Sequence, residues 1–282
     1  MAHTKALNID EGPLGRTSEY ADTYTPSLLH AISRADARAQ VGLYGTNDRA
    51  GELHGEDLWT GYEFSWLDMR GKPIVAGLRF HVPCQSQAIV ESKSVKLYLN
   101  SFAQTKFENH GSVQQTLDQD LNLAFQAPVM IELLELSQLA SPVHQLPGVC
   151  LDDLNIRTDT YTREPNFLAI EDPELNVHET LYTHVFRSLC PVTSQPDWAS
   201  ICIEYSGQPI SREGLLKYLI SYRNHQAFHE ATIEQLFNDI YQRCAPTKLS
   251  VYGRFQRRGG LDINPFRSLD EDLAPLYRLP RQ

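Results

Sequence analysis

The chain has 282 residues, 41% of them hydrophobic, and a formal net charge of −10. That apolar content is enough for an ordinary core and excludes wholesale disorder, and the length suits two modest domains or one large one. The acidic balance argues against a broad phosphate-binding surface for nucleic acid, while leaving room for a small local basic cluster.

In chain order, "MAHTKALNIDEGPLGRTSEY" lacks the apolar core of a secretion signal, and no later apolar run is long enough to span a membrane. Residues 1–45 are polar and turn-rich, with Pro13, Gly15 and Pro26, and read as an N-terminal arm. A first module, 46–137, opens with a strand pair near 60–67 and 73–82, joined through "RGKP". Two helical stretches follow, then strand about 128–136. Residues 138–178, rich in Pro and Asp, read as a connector. The second module, 179–282, repeats the order: strands near 182–189 and 198–206 joined through "SQPD", two helical stretches, then strands about 247–256 and 261–266. Within its second helix Ile233, Leu236, Phe237 and Ile240 recur at i, i+3, i+4 and i+7, one apolar face. The expected order is ββααββ, twice.

The halves also match in sequence. "KLYLNSF" (96–102) parallels "LKYLISY" (216–222), so that Tyr98, Leu99, Ser101 and Phe102 fall opposite Tyr218, Leu219, Ser221 and Tyr222. Allowing small insertions, Leu117, Asp120 and Leu121 fall opposite Leu236, Asp239 and Ile240. The polar residues, however, are divided. The first half has "ESKS" (Glu91 to Ser94) where the second has "SREG" (Ser211 to Gly214), and about Asp68 where the second has Cys190. Modules that have each lost part of a set suggest one shared site.

Five cysteines, at 84, 150, 190, 202 and 244, make an odd count without a CxxC pair, which points to reduced thiols in a cytoplasmic protein. Cys202, inside "ASICIEY", reads as a small buried hydrophobe. Cys190 and Asp197 bracket the loop of "SLCPVTSQPDWASICIEY". From spacing alone they read first as a core thiol and a turn carboxylate, and second as a nucleophilic thiol and a proton donor. Phe228, His229 and Glu230, with Glu91, offer carboxylates that accept paired hydrogen bonds from a guanine-like base and an aromatic stacking face. Acidic residues at helix starts also serve the helix dipole. In "RFQRRGGLDINPFR" (254–267), Arg257 and Arg258 precede Gly259 and Gly260, a compact basic loop that a phosphate could approach or an exposed charged hairpin. Lys93 and Ser94 offer further phosphate partners. No GxGxxG is present, so a Rossmann site is not indicated. His225 and His229, four apart, could meet a metal with Cys190, but two histidines and a distant cysteine fall short of a zinc signature.

In combination, "ESKSVKLYLNSF", "CPVTSQPDWAS", "SYRNHQAFHE" and "RRGGLDINPFR" resemble the motifs of the 7-cyano-7-deazaguanine reductases, nitrile reductases of queuosine biosynthesis, in their long two-module form. "YADTYTPSLLHAISR" is similar to the family's N-terminal segment, so the resemblance covers nearly the whole chain. It implies an α+β fold of tandem tunnelling-fold modules, each ββααββ with an antiparallel sheet and two helices on one face. It implies that Cys190 adds to the nitrile as a covalent thioimide and that Asp197 donates the proton to nitrogen. Glu91 and Glu230 would hold the deazaguanine edge, with Ser92, Lys93 and His229 lining the pocket and Phe228 covering it. Lys93, Ser94, Arg258 and Gly259, with Arg257 adjacent, match positions implied in binding NADPH as cosubstrate.

A first reduction would give a thiohemiaminal, and loss of the thiolate an imine for the second NADPH, kept from water by Phe228 and the arm. The resemblance further implies no metal, a homodimer, and no direct contact with nucleic acid or membrane. The rival expectations are a zinc-dependent pterin-type tunnelling-fold enzyme, a purine- or pterin-type base-binding protein without catalysis, and a thiol nitrile hydrolase.

Overall fold

The structure is a computed structural model and describes residues 20–43, 53–140, 142–270 and 273–282. Of the sequence-defined arm, residues 1–19 and 44–45 lie outside the described residues. Two compact units share the chain. One is built from the described parts of Met1–Ala39, Leu58–Ser141 and Arg257–Asp262, the other from those of Gln40–Asp57, Pro142–Gln256 and Ile263–Gln282.

The first unit begins with β1 (Ala31–Ser33) and α1 (Arg34–Gln40). It takes most of β2 (His54–Leu67), then β3 (Pro73–Pro83), β4 (Ala88–Val90), α2 (Ser92–Ser101), α3 (His110–Phe125), β5 (Met130–Leu134) and α4 (Leu136–Leu139). β5, β3 and β2 are hydrogen-bonded neighbours in that order, with β3 and β5 antiparallel in the register Phe80↔Ile131. β1 and β4 form a separate antiparallel pair. The α3 stripe Val113, Leu117, Leu121 and Phe125 repeats every fourth residue and is buried throughout. Against it Trp59 meets Phe125 edge-on at 6.0 Å and stacks on Phe80 at 5.2 Å. Among the described residues one strand, β5, follows the two helices of this half, where the repeating pattern led us to expect two.

The second unit holds β6 (Val149–Cys150), β7 (Val177–Leu189), β8 (Pro196–Gly207), α5 (Arg212–Ile220), α6 (His229–Cys244), β9 (Lys248–Phe255) and most of β10 (Leu261–Ser268). Its strands lie in the order β10-β9-β8-β7-β6, antiparallel except for β6, which runs parallel to β7. Ile233, Leu236, Phe237 and Ile240 of α6 are fully buried, each contributing about 1.5–3 kcal/mol of burial free energy. The molecule is thus mixed α+β with antiparallel-rich sheets. No helix among the described residues is long and apolar enough to cross a membrane.

The internal repeat has matching hydrogen bonds. Tyr98 donates to Asp120 Oδ2 (2.7 Å) in the first half, and Tyr218 to Asp239 Oδ2 (2.5 Å) in the second. Ser101 Oγ donates to the Tyr98 carbonyl and Ser221 Oγ to the Tyr218 carbonyl, both at 2.6 Å. The correspondence begins earlier than the sequence pattern suggested. 3₁₀ turns at Pro26–Leu28 and Pro165–Phe167 precede the two helical pairs. Thr25 N donates to Ser101 Oγ and Glu164 N to Ser221 Oγ, both at 3.1 Å. Tyr24 reaches Asp120 (2.7 Å) as Arg163 reaches Asp239 (2.8 Å). Part of the arm and part of the connector therefore make matching contacts in the two halves.

Candidate active site

Cys190 is the first residue beyond β7, and a short loop returns the chain to Pro196, which pairs with Leu189. Two backbone bonds close the loop: Cys190 N donates to the Gln195 carbonyl (2.9 Å) and Ser194 N to the Cys190 carbonyl (3.0 Å). Asp197 lies opposite Ser188 across the ladder. Because strand side chains alternate, Ser188 and Asp197 share a face, and Cys190 continues it two residues on. Asp197 is only 4% exposed, and Cys190 is half-buried and free. The first half carries Asp68 at the place of Cys190. There its carboxylate accepts from the backbone of Arg70 and Lys72 (both 2.9 Å), an ordinary turn role.

Two contacts bring the start of α6 to this loop. Leu189 N donates to the His225 carbonyl (2.8 Å), with Leu189 bridged in parallel to Gln226, and Gln226 Nε2 donates to Ser194 Oγ (2.7 Å). Phe228 then occupies the N-cap position, and His229 and Glu230 form the first turn. His229 Nε2 stands 3.4 Å from Asp197 Oδ2, and its ring stacks on Phe255 of β9 at 3.7 Å and 4°. Glu230 is 4% exposed. Residues 32 positions apart, Asp197 and His229, thus meet through a hairpin and one parallel bridge.

Around them, four buried polar atoms have no hydrogen-bond partner: Ser188 Oγ, His225 Nε2, His229 Nδ1 and Thr232 Oγ1. Native interiors rarely leave such atoms unmet, so Ser188 Oγ, opposite Asp197 in the ladder, and His229 Nδ1, on the ring beside that carboxyl, are open to a polar partner. Ser188, Thr232 and the stacking Phe255 were absent from the sequence-based candidates. Only strand alternation from Asp197 and the helical step from His229 point to the first two. His225 is held well below its ordinary value, to about 4, by burial and secondarily by Arg163, so it is a neutral imidazole near pH 7. Cys202 is deeply buried, and that burial raises its thiol to about 12, in line with a structural role.

The remaining candidates lie in the first unit. Glu91 is the N-cap of α2, its carboxylate accepting from Lys93 N (2.6 Å) and Ser94 N (2.9 Å). Each oxygen keeps a lone pair for a further donor. Ser92 and Lys93 are half-buried in the first turn. Ser94 is fully buried. Its hydroxyl donates to the Glu91 carbonyl (2.6 Å) and accepts from His30 N (3.0 Å), so it shapes the helix start from both sides. Residues 257–262 pack within this unit although in sequence they fall inside the second module, 179–282. Arg258 and Leu261 exchange backbone bonds (2.9 and 3.3 Å) around Gly259 and Gly260, both left-handed at φ 60 and 76, the geometry of a two-residue type I′ hairpin. The exposed Arg257 guanidinium lies 4.4 Å over the Tyr62 ring, whose hydroxyl donates to Asp262 Oδ2 (2.7 Å). A Cβ on Gly259 would stand 3.3 Å from Lys96 Cδ, so a lysine the sequence reading did not single out lies against the loop. Guanidinium groups, a lysine and a side-chain-free backbone fit the phosphates of a dinucleotide.

Comparison with known proteins adds a finding of another kind. A family model described as "Nitrile reductase, 7-cyano-7-deazaguanine-reductase N-term" matches residues 20–133, and one described as "QueF-like protein" matches 196–273. The NADPH-dependent 7-cyano-7-deazaguanine reductase of Dechloromonas aromatica (strain RCB) is 48% identical over 266 residues, 93% of this chain and 92% of the relative. Those of Polaromonas sp. and Burkholderia thailandensis are each 48% identical, over 276 and 263 residues, covering 97% and 93% of this chain and 98% and 94% of the relatives.

Proposed function

The chain belongs to the family of NADPH-dependent 7-cyano-7-deazaguanine reductases, and on that premise we propose that it reduces the nitrile of 7-cyano-7-deazaguanine to the aminomethyl group, with Cys190 as nucleophile and Asp197 as proton donor. The observation that carries the assignment is the hairpin placing the thiol and the buried carboxyl on one face, with His229 3.4 Å from that carboxyl.

The sulfur of Cys190 adds to the nitrile carbon, and the electron pair of the broken C–N π bond takes a proton from Asp197. The thiol proton passes to Asp197 as that residue's own proton leaves for nitrogen, so one S–H is lost, one N–H is gained and the carboxyl ends protonated as it began. Splitting a hard reduction through this covalent adduct gives a far better acceptor than the nitrile. NADPH, when bound, supplies the hydride equivalents, two for each nitrile. His229 lies where it can return a proton to Asp197 between turns of the cycle. Glu230 accepts from the ring N–H and exocyclic amine of the deazaguanine, Phe228 covers it, and Ser188 Oγ, His229 Nδ1 and Thr232 Oγ1 find partners in the bound molecule. We extend the assignment to Glu91, Ser92 and Lys93 as substrate contacts, and to Lys93, Ser94, Arg257, Arg258 and Gly259 as residues that would hold NADPH, the arginines at its phosphates.

The proposal includes two tunnelling-fold modules, 46–137 and 179–282 with the connector 138–178, in a cytoplasmic homodimer. The paired tyrosine–aspartate bonds of the two halves support the duplication. The test is absorbance at the NADPH band on adding the nitrile, beside Cys190→Ala. Two NADPH consumed per nitrile, and none in the variant, is the expected result. Tight binding of the base with no consumption by the parent would replace the proposal with a base-binding protein.

A further inference from the structure

We propose that Cys150, Asp152 and His184 form a site for a divalent metal ion of the zinc type, at the edge of the second unit and apart from the Cys190 loop. The thiol sulfur, a carboxylate oxygen and a ring nitrogen of these three lie within 4.8 Å of one another. In a tetrahedral zinc site with bonds of about 2.0–2.3 Å, neighbouring donors stand roughly 3.3–3.8 Å apart. Side-chain movements of about 1 Å therefore close the set.

The backbone brings the donors together. β6 pairs in parallel with β7, setting Cys150 opposite Tyr182, and Leu151 N donates to the Tyr182 carbonyl (2.9 Å). His184 falls in the register shift between Thr183 and Phe186. Each remaining ligand is also held from behind. The Asp152 carboxylate accepts from Thr183 Oγ1 (2.5 Å) and from His184 N (3.1 Å). His184 Nδ1 lies 2.7 Å from the buried Ser200 Oγ, which fixes the ring. Such outer partners are what orient ligands in metal sites.

The donor chemistry selects the ion. A thiolate and an imidazole with a single carboxylate suit zinc and disfavour magnesium or calcium, which prefer oxygen sets. Three protein ligands leave a fourth position for water. Binding is balanced by loss of the thiol proton: Cys–SH and M²⁺ give Cys–S–M⁺ and H⁺. The facing cation is Arg281, whose Nη2 donates to the His184 carbonyl (2.7 Å), and the ion must bind beside it. Cys190 lies eight positions beyond Tyr182 along the chain, about 25 Å at strand spacing, so the ion would act as a clamp of β6 onto β7.

The experiment uses the full chain with Cys190→Ala, which removes the loop thiol as a competing ligand, after chelator treatment and dialysis. Titration with cobalt reads the near-ultraviolet thiolate-to-metal absorption, and zinc affinity is read by competition with a chromophoric chelator. One equivalent per chain with the thiolate band is expected. Cys150→Ser should abolish the band, and both it and His184→Gln should weaken zinc binding by at least about tenfold. Circular dichroism of both variants separates loss of ligand from loss of fold. No thiolate band in the parent, or equal zinc affinity in folded Cys150→Ser, overturns the site.

Discussion

Asp197 is the residue on which the proposed chemistry is most sensitive to a single atom. Asp197→Asn keeps the shape beside His229 and Ser188 but leaves no carboxyl proton to give. A positioned general acid contributes about 10²–10⁴-fold. We therefore expect kcat and the rate of covalent capture of the nitrile to fall together by that factor while the folded state persists, capture being followed by intact mass over time. Unchanged kcat would move the proton donor elsewhere, with His229 the first alternative. His225 carries a second prediction, in stability. Its folded pKa of about 4 lies below the ordinary 6.5, because burial opposes the charged ring and Arg163 adds to the effect. Between these values the unfolded chain binds more protons than the folded one. The stabilisation is thus complete above pH 6.5 and is lost as pH falls through 4, about 3 kcal/mol in all. Melting temperatures of the wild type and His225→Gln from pH 7 to 4 should converge as pH falls. Parallel curves would mean that the imidazole is not buried neutral.

At the scale of elements, the strand pairs and the apolar face of α6 were legible because local periodicity specifies them. β7, expected at 182–189, runs Val177–Leu189, and β8, expected at 198–206, runs Pro196–Gly207. The early part of the repeat was not recognised, although "TYTPSLL" (23–29) and "TREPNFL" (162–168) share Thr, Pro and Leu at matching places. Three identities in seven residues without periodicity give little signal; the shared role appears only when Tyr24 and Arg163 are seen reaching Asp120 and Asp239. Short motifs likewise disclosed the residue types around Cys190 but not the approach of Asp197 to His229, which depends on the loop closing and on Leu189 pairing with Gln226. The two buried tyrosines should differ in measurable ways. Tyr218→Phe leaves Asp239 with Arg163 but removes a hydroxyl that also lies 2.9 Å from Tyr222, so both partners lose a bond. Tyr98→Phe leaves Asp120 with Tyr24. With each lost buried bond costing about 1–3 kcal/mol, Tyr218→Phe should be the more destabilising in urea titrations. The reverse order would mean that the halves do not use the pair in the same way.

For the whole molecule, the repeat suggests a chain that can be cut in two, and the packing argues otherwise. Arg267 is fully buried in the second unit, and its guanidinium donates to Asp57 Oδ1 (2.7 Å), Glu234 Oε1 (3.0 Å) and the Glu56 carbonyl (2.9 Å). Glu56 Oε1 in turn accepts from Ala274 N (2.8 Å). Two of the partners come from about 210 residues earlier in the chain, a pairing with no local signature in sequence. A fragment of residues 142–282 would keep Arg267 and Glu234 but lose Asp57 and Glu56. Depriving a buried charge of its partner costs about 3–5 kcal/mol, a large share of the roughly 5–15 kcal/mol that holds a domain folded. We expect that fragment to show no cooperative transition in scanning calorimetry. Asp57→Asn in the full chain, which changes one atom at that contact, should lower unfolding free energy by about 3 kcal/mol at the cost of the same charge pair. A cooperatively melting fragment would show that the second unit closes its core without residues 53–57. Full stability in Asp57→Asn would assign the compensation of Arg267 to Glu234 alone.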